Sequence, residues 1–134
     1  MTTTKELTFE ALTELMNSHW GSERFFKHSF MRKLIYTEGI QHLCDVGGMY
    51  WLLNMVASYI PKVTKENAKN GDYFQIVRLT VNADSTATFD LRHDTDDAPF
   101  VKQDISFTDA PCGVYEMYLI NEGEQIVFLL KTEY

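Results

Sequence analysis

His93-Asp94-Thr95-Asp96-Asp97 is the densest polar cluster in the chain. Carboxylates this close together are hard oxygen ligands of the kind that hold Ca²⁺ or Mg²⁺. A calcium-binding helix-loop-helix starting at Asp94 fails on its own geometry. Its sixth position, where Gly makes the sharp turn, is Pro99, and its twelfth, where a bidentate Glu belongs, is Ile105. The cluster therefore reads as a solvated turn after a strand, and no metal is expected.

Asp90, Asp104 and Glu116 could line up on adjacent strands as paired carboxylates for glycoside hydrolysis. An open sheet face, however, offers no desolvation to keep one of them protonated as the acid. A Cys/His nucleophile would need Cys44 or Cys112 beside one of His19, His28, His42 or His93. His42 and Cys44 are two apart on an expected helix and do not face each other. Cys112 lies in a Pro-Cys-Gly turn with no flanking motif for activation. Glu38 and His42, at i and i+4, make a surface helix pair. No zinc-type Cys spacing is present, and the two cysteines read as buried free thiols in a reducing compartment. Gly47-Gly48 joins two helices, and no Gly-rich loop follows a strand to cradle phosphate. No cofactor is expected, and the chain reads as non-enzymatic.

Charge carries more information. The net charge of the 134 residues is −7. Residues 1–83 are nearly balanced at +1, residues 84–124 carry −8, and the last ten residues balance Lys131 against Glu133. A C-terminal half this acidic does not suit direct contact with a nucleic-acid backbone, but it suits a basic protein surface.

These residues have to be positioned by a small fold. The chain is 45% apolar and 13% aromatic, enough for the core of one domain spanning 1–134. No basic segment followed by an apolar run marks a secretory signal at the N-terminus. The longest apolar block, Val46–Ile60, falls short of the roughly 20 residues of a membrane span. A cytoplasmic protein away from membranes is expected.

Thr8 is placed to cap a first helix, with Leu7 and Leu12 as a hydrophobic staple and Leu12, Leu15, Met16 and Trp20 facing the core, up to Gly21. Ser22–Tyr36 interleaves basic and aromatic residues and reads as a short helix and a turn over a core stripe. Thr37 caps the next helix, where Ile40, Leu43 and Cys44 share a face, and Gly47-Gly48 breaks it. The helix after it, about Met49–Ile60, is apolar almost all round, which predicts burial between other elements. Pro61 is expected to stop it, leaving 62–72 as a polar connector.

From Tyr73 the period changes to two. YFQIVRLTV, TATFDLRH, FVKQDISF, VYEMYLIN and QIVFLL read as strands, the first two as a hairpin turning at Asp84-Ser85. QIVFLL lacks alternation and is expected to be central. Residues 1–61 are thus mainly helical and 73–131 form an antiparallel meander. The fold class is α+β, with N-terminal helices on one face of a sheet of about five strands. Asp90, Asp104 and Glu116 fall opposite the apolar set and should point outward from the open face.

The block TEGIQHLCDVGGMYWLLNMVASY, with FMRKLIY before it, FQIVRLTV and the terminal LLKTEY, resembles an uncharacterised family of small bacterial and phage proteins. The resemblance runs from about Glu23 to Tyr134, and Tyr36, Gly39, Gly47, Gly48, Tyr50, Trp51, Leu52 and Leu53 are its best markers. It implies a phage or mobile-element setting and brings no activity, cofactor or catalytic residue.

Three functions fit these observations. The first is a small acidic binding protein, an inhibitor mimicking nucleic acid, whose Asp90, Asp94, Asp96, Asp97, Asp104 and Glu116 dock on the basic surface of a host complex. The second is a homo-oligomeric accessory protein with Tyr115, Tyr118 and Tyr134 at its interface. The third is an enzyme or small-molecule binder with a pocket lined by Tyr36, Trp51, Asn54 and Ser58.

Overall fold

The computed structural model describes residues 8–17 and 24–134. Helices α1 (Phe9–Asn17), α2 (Glu38–Gly47) and α3 (Tyr50–Asn70) pack on one face of a seven-stranded sheet. The strands are β1 (Phe25–Lys27), β2 (Leu34–Thr37), β3 (Phe74–Val81), β4 (Ala87–Arg92), β5 (Val101–Ile105), β6 (Gly113–Glu122) and β7 (Gln125–Leu130), and a short 3-10 turn, Lys131–Glu133, follows.

The Thr8 hydroxyl accepts the Ala11 N–H at 3.0 Å, which makes it the expected cap, and Leu12 is fully buried. Leu7, Trp20 and Gly21 lie outside the described residues. Thr37 caps α2 by accepting the Ile40 N–H at 3.2 Å. Ile40, Leu43 and Cys44 are buried as their spacing predicts. Gly48 ends α2 at φ 63°, a left-handed conformation that glycine adopts without a Cβ penalty.

Helix α3 differs from expectation in length and burial. It continues through Pro61 to Asn70, so the polar connector is its last turns. Proline removes one backbone bond, but Val56, Ala57, Ile60 and Val63 are buried on both sides of it and hold the helix against the sheet. The 62–70 stretch, KVTKENAKN, contains no residue that forbids a helix. Tyr50, Asn54, Ser58 and Lys62 form an exposed stripe at i+4 spacing, so the helix is covered on one side only. At its end, buried Gln75 donates to buried Asn67 Oδ1, which ties α3 to β3.

The sheet order is β1-β2-β7-β6-β3-β4-β5. All five strands expected after residue 73 form, but not as a simple meander. β6 returns beside β3, so β3 to β6 make a Greek key. The 106–112 link that carries the chain back is pinned where Thr108 N–H donates to Ser85 O at 2.8 Å. The segment expected as a helix before Tyr36 is instead two strands. β1 pairs antiparallel with β2, and β2 pairs parallel with β7, so the sheet is mixed. In the turn between β1 and β2, buried His28 accepts the Met31 N–H at Nδ1 (3.2 Å) and reaches Asn54 Oδ1 from Nε2 at 2.8 Å.

Alternation sets the two faces. Leu34, Phe128, Leu130, Tyr115, Met117, Val77, Leu79, Phe89 and Leu91 point inward under the helices, all buried. Tyr59 of α3 stacks on Phe89 at 5.7 Å and donates to Gln103 Oε1 at 2.5 Å. β7 lies between β2 and β6, and Ile126–Leu130 are buried on both faces, as its unbroken apolar run predicts.

Candidate binding surface

The outer face of the sheet has a charged half and an apolar half. In the charged half, the register sets Asp90 opposite Arg78, and Arg78 opposite Glu116. On the other side of β4, Asp90 faces Lys102 and Thr88 faces Asp104. Asp90, Asp104 and Glu116 therefore share one face, as their spacing predicts, but only Asp104 is exposed: Asp90 is buried and Glu116 half-buried, so Asp90 is not available as the outward contact expected of it. They do not form an acidic patch, because bases stand between them.

Arg78 approaches Glu116 Oε2 at 2.6 Å (Nη2) and 2.7 Å (Nε), and Lys131 reaches Glu116 Oε1 at 3.3 Å. Burial pushes the Glu116 carboxyl up, but the hydrogen bonds and charges of Arg78 and Lys131 outweigh burial and hold it below the ordinary carboxylate range. Arg92 Nε donates to Asp90 Oδ1 at 2.8 Å, and this bond pushes the guanidinium further up. Opposite charges on neighbouring strands stabilise the pairing modestly, and each cancels the other's field.

Asp94, Asp96 and Asp97 lie elsewhere, in the connection from β4 to β5, and all three are exposed. Asp94 Oδ1 accepts the Thr95 N–H at 2.7 Å, Asp97 N–H donates to Asp94 O at 3.1 Å, and Arg92 Nη1 donates to Asp97 O at 3.1 Å. The loop is a tight turn tied to the sheet through backbone, with its carboxylates turned to water. Among the described residues no group of His, Cys, Asp and Glu side chains could hold a metal ion.

The cluster next to this loop was not foreseen. His93 Nδ1 donates to Asp72 Oδ2 at 2.7 Å, while Nε2 lies 3.5 Å from both Glu66 Oε1 and Asn70 Nδ2. The ring stacks on Phe100 at 4.7 Å. His93 thus joins the end of α3 to the start of the acidic loop. No local pattern signals it, because Glu66 and Asp72 belong to a stretch read as a connector beyond Pro61.

In the apolar half, Ile120, Val127 and Leu129 are buried under Ile35, Phe74 and Tyr118. Tyr134 closes the cluster, 5.7 Å from Phe74 and 5.6 Å from Tyr118, yet is itself 69% exposed. A cleft of about 430 Å³ runs beside it, between Phe25 and Leu129, with Glu122 at its rim. Tyr115 does not join this surface. It is fully buried on the inner face, and its hydroxyl donates to Pro111 O at 2.5 Å.

Glu133 forms a buried anchor behind the cleft. Its Oε1 accepts the Thr37 hydroxyl at 2.6 Å and the Leu130 N–H at 3.0 Å, and its Oε2 accepts the Gly39 N–H at 3.1 Å. A carboxylate at the first turn of α2 is also favoured by the helix dipole.

The residues considered for a pocket do not converge on one. Asn54 meets His28, Ser58 donates to its own helix at Met55 O (2.6 Å), and Tyr36 stacks on Phe26 at 5.6 Å. Trp51 lines a separate surface cleft with Ile105 and Phe107. The cysteines are both free. Cys44 is buried and pushed up to about 12 by burial and then by Asp45, but Cys112 is exposed, contrary to expectation.

Among the described residues no helix is long and apolar enough to cross a membrane. Residues 10–134 match a family described as a family of unknown function (DUF6876), and the chain belongs to it. No curated protein and no solved structure matches the chain.

Proposed function

We propose that this member of a family of unknown function is a small, acidic, non-enzymatic binding protein of the cytoplasm. It docks on a basic surface of a larger protein through Asp94, Asp96 and Asp97. In the phage or mobile-element setting that the resemblance implies, the target is a nucleic-acid-binding complex of the host, and the carboxylates take the place of phosphates.

One observation carries this reading. Asp90 and Glu116 are matched with Arg92 and Arg78, whereas Asp94, Asp96 and Asp97 are exposed without a basic side chain paired to them among the described residues. The excess negative charge of residues 84–124 therefore shows itself to a partner at the loop more than on the sheet. Exposed carboxylates on an anchored turn steer a basic partner toward contact.

The test is capture of partners by tagged protein from lysate of the natural host, at low and at high salt. The reading expects a basic protein or complex at fixed stoichiometry that is lost at high salt. Capture that is indifferent to salt would overturn it.

A further inference from the structure

We propose that two copies of this chain join edge to edge through β5, with the two strands antiparallel about a two-fold axis at Gln103. The inference goes beyond the proposed function and does not rest on it.

β5 ends the sheet and pairs only with β4, so its backbone groups that point away from β4 have no strand beside them. The strand is held firmly in place. Phe100 N–H donates to Leu91 O at 2.9 Å just before it, and Thr108 N–H donates to Ser85 O at 2.8 Å just after it. In its middle, Gln103 Oε1 accepts the Tyr59 hydroxyl at 2.5 Å.

The residues of β5, Val-Lys-Gln-Asp-Ile, select the occupant. Lys102 and Asp104 are exposed on the outer face, while Val101, Gln103 and Ile105 turn inward. Asp90, opposite Lys102, is engaged by Arg92, and Asp104 meets the Thr88 hydroxyl at 3.5 Å. Among the described residues neither Lys102 nor Asp104 has an ion pair. A Lys on an edge strand ordinarily discourages pairing. Turned about an axis at Gln103, however, a second β5 sets its Asp104 beside Lys102 and its Lys102 beside Asp104, with Val101 against Ile105 on the inner face. A slip of two residues either way sets Lys102 on Lys102 or Asp104 on Asp104, and a slip of one turns apolar residues to the charged face. A single register thus satisfies both faces, and the strand that satisfies it is a copy of itself. The same rotation carries Phe107, 61% exposed beside Trp51 and Ile105, toward Phe100 of the second copy.

Sedimentation of the full chain from about 10 to about 300 µM tests this, since a dimer obeys mass action. The mass is expected to rise from 15.5 kDa toward twice that value. Lys102→Asp and Asp104→Lys each place like charges opposite one another at both pairs and should weaken the dimer by about tenfold or more. Asp104→Lys also reduces the net negative charge of the chain, so relief of general repulsion would strengthen association where the register weakens it. An equimolar mixture of the two variants restores opposite charges at both pairs and should dimerise at least as well as the parent. Both side chains are exposed, and an unchanged unfolding midpoint checks that each variant folds. A parent that stays monomeric at every concentration would overturn the proposal and leave the edge to a strand of another protein. Single variants that dimerise as the parent does, or a mixture of folded variants that stays monomeric, would overturn it as well.

Discussion

Glu133 occupies the space that a side chain on Gly39 would need. A Cβ built on Gly39 would lie 2.5 Å from Glu133 Oε1, and the Gly39 N–H donates to Glu133 Oε2 at 3.1 Å. The start of α2 and the end of the chain are thus shaped to each other across 94 residues of sequence. Glu133→Ala strands the Thr37 hydroxyl and two backbone donors and should cost about 3 kcal/mol. Gly39→Ala should cost about 2 to 3 kcal/mol by displacing the carboxylate. In a Glu133→Ala background the Gly39→Ala cost should fall below about 1 kcal/mol, because the obstacle is gone. Urea unfolding of the four proteins measures this, and additive costs would contradict the account.

Pro61 is a weak point that packing tolerates. Pro61→Ala restores the backbone donor toward Ala57 and should stabilise the protein by about 1 to 2 kcal/mol. The gain stays below the full helix penalty of proline because the unfolded chain also gains freedom. A lower denaturation midpoint for Pro61→Ala would show that the helix needs its proline.

The Arg78–Glu116–Lys131 group gives stability a pH dependence of known sign. A carboxyl held low in the folded protein stabilises it above the ordinary carboxylate value, and that contribution is lost as pH falls through the lowered one. Glu116→Gln should flatten stability against pH over about pH 5 to 2, by no more than about 1 kcal/mol for a partly exposed pair. Parallel curves for the two proteins would deny the pairing.

The cysteines should differ in reactivity. Cys44, buried and pushed up to about 12, should resist a thiol reagent at about pH 8 while the protein is folded. Exposed Cys112 should react fast, and Cys112→Ser should remove the fast phase. Fast labelling of Cys112→Ser would mean that the α2 region opens readily.

Local chemistry made much of this fold legible before the structure. Thr37 as a cap, Gly47-Gly48 as a break, and Phe89 and Leu91 on the opposite face from Asp90 follow from side-chain period and backbone preference alone. What was hidden depends on distant partners. Leu34-Ile35-Tyr36 becomes a strand because it adds to Ile126-Val127-Phe128 at the far end of the chain, and that parallel pairing leaves no local trace. β6 leaves the meander because β3 still has a bare edge. Helix α3 passes Pro61 because burial outweighs one missing bond, and only then do Glu66 and Asp72 come within reach of His93. That Asp90, Asp104 and Glu116 share a face was readable from alternation, but the pairing of Glu116 was not, because it needed the register that sets Arg78 opposite it.

The central claim is that the exposed loop, and not the sheet-face acids, carries the contact. The most direct measurement compares D94N/D96N/D97N with Glu116→Gln for affinity toward the captured basic partner, over a range of salt. The account predicts about tenfold or greater weakening and a shallower salt dependence for the loop variant, with Glu116→Gln close to the parent. Equal affinity for the loop variant and the parent would contradict it.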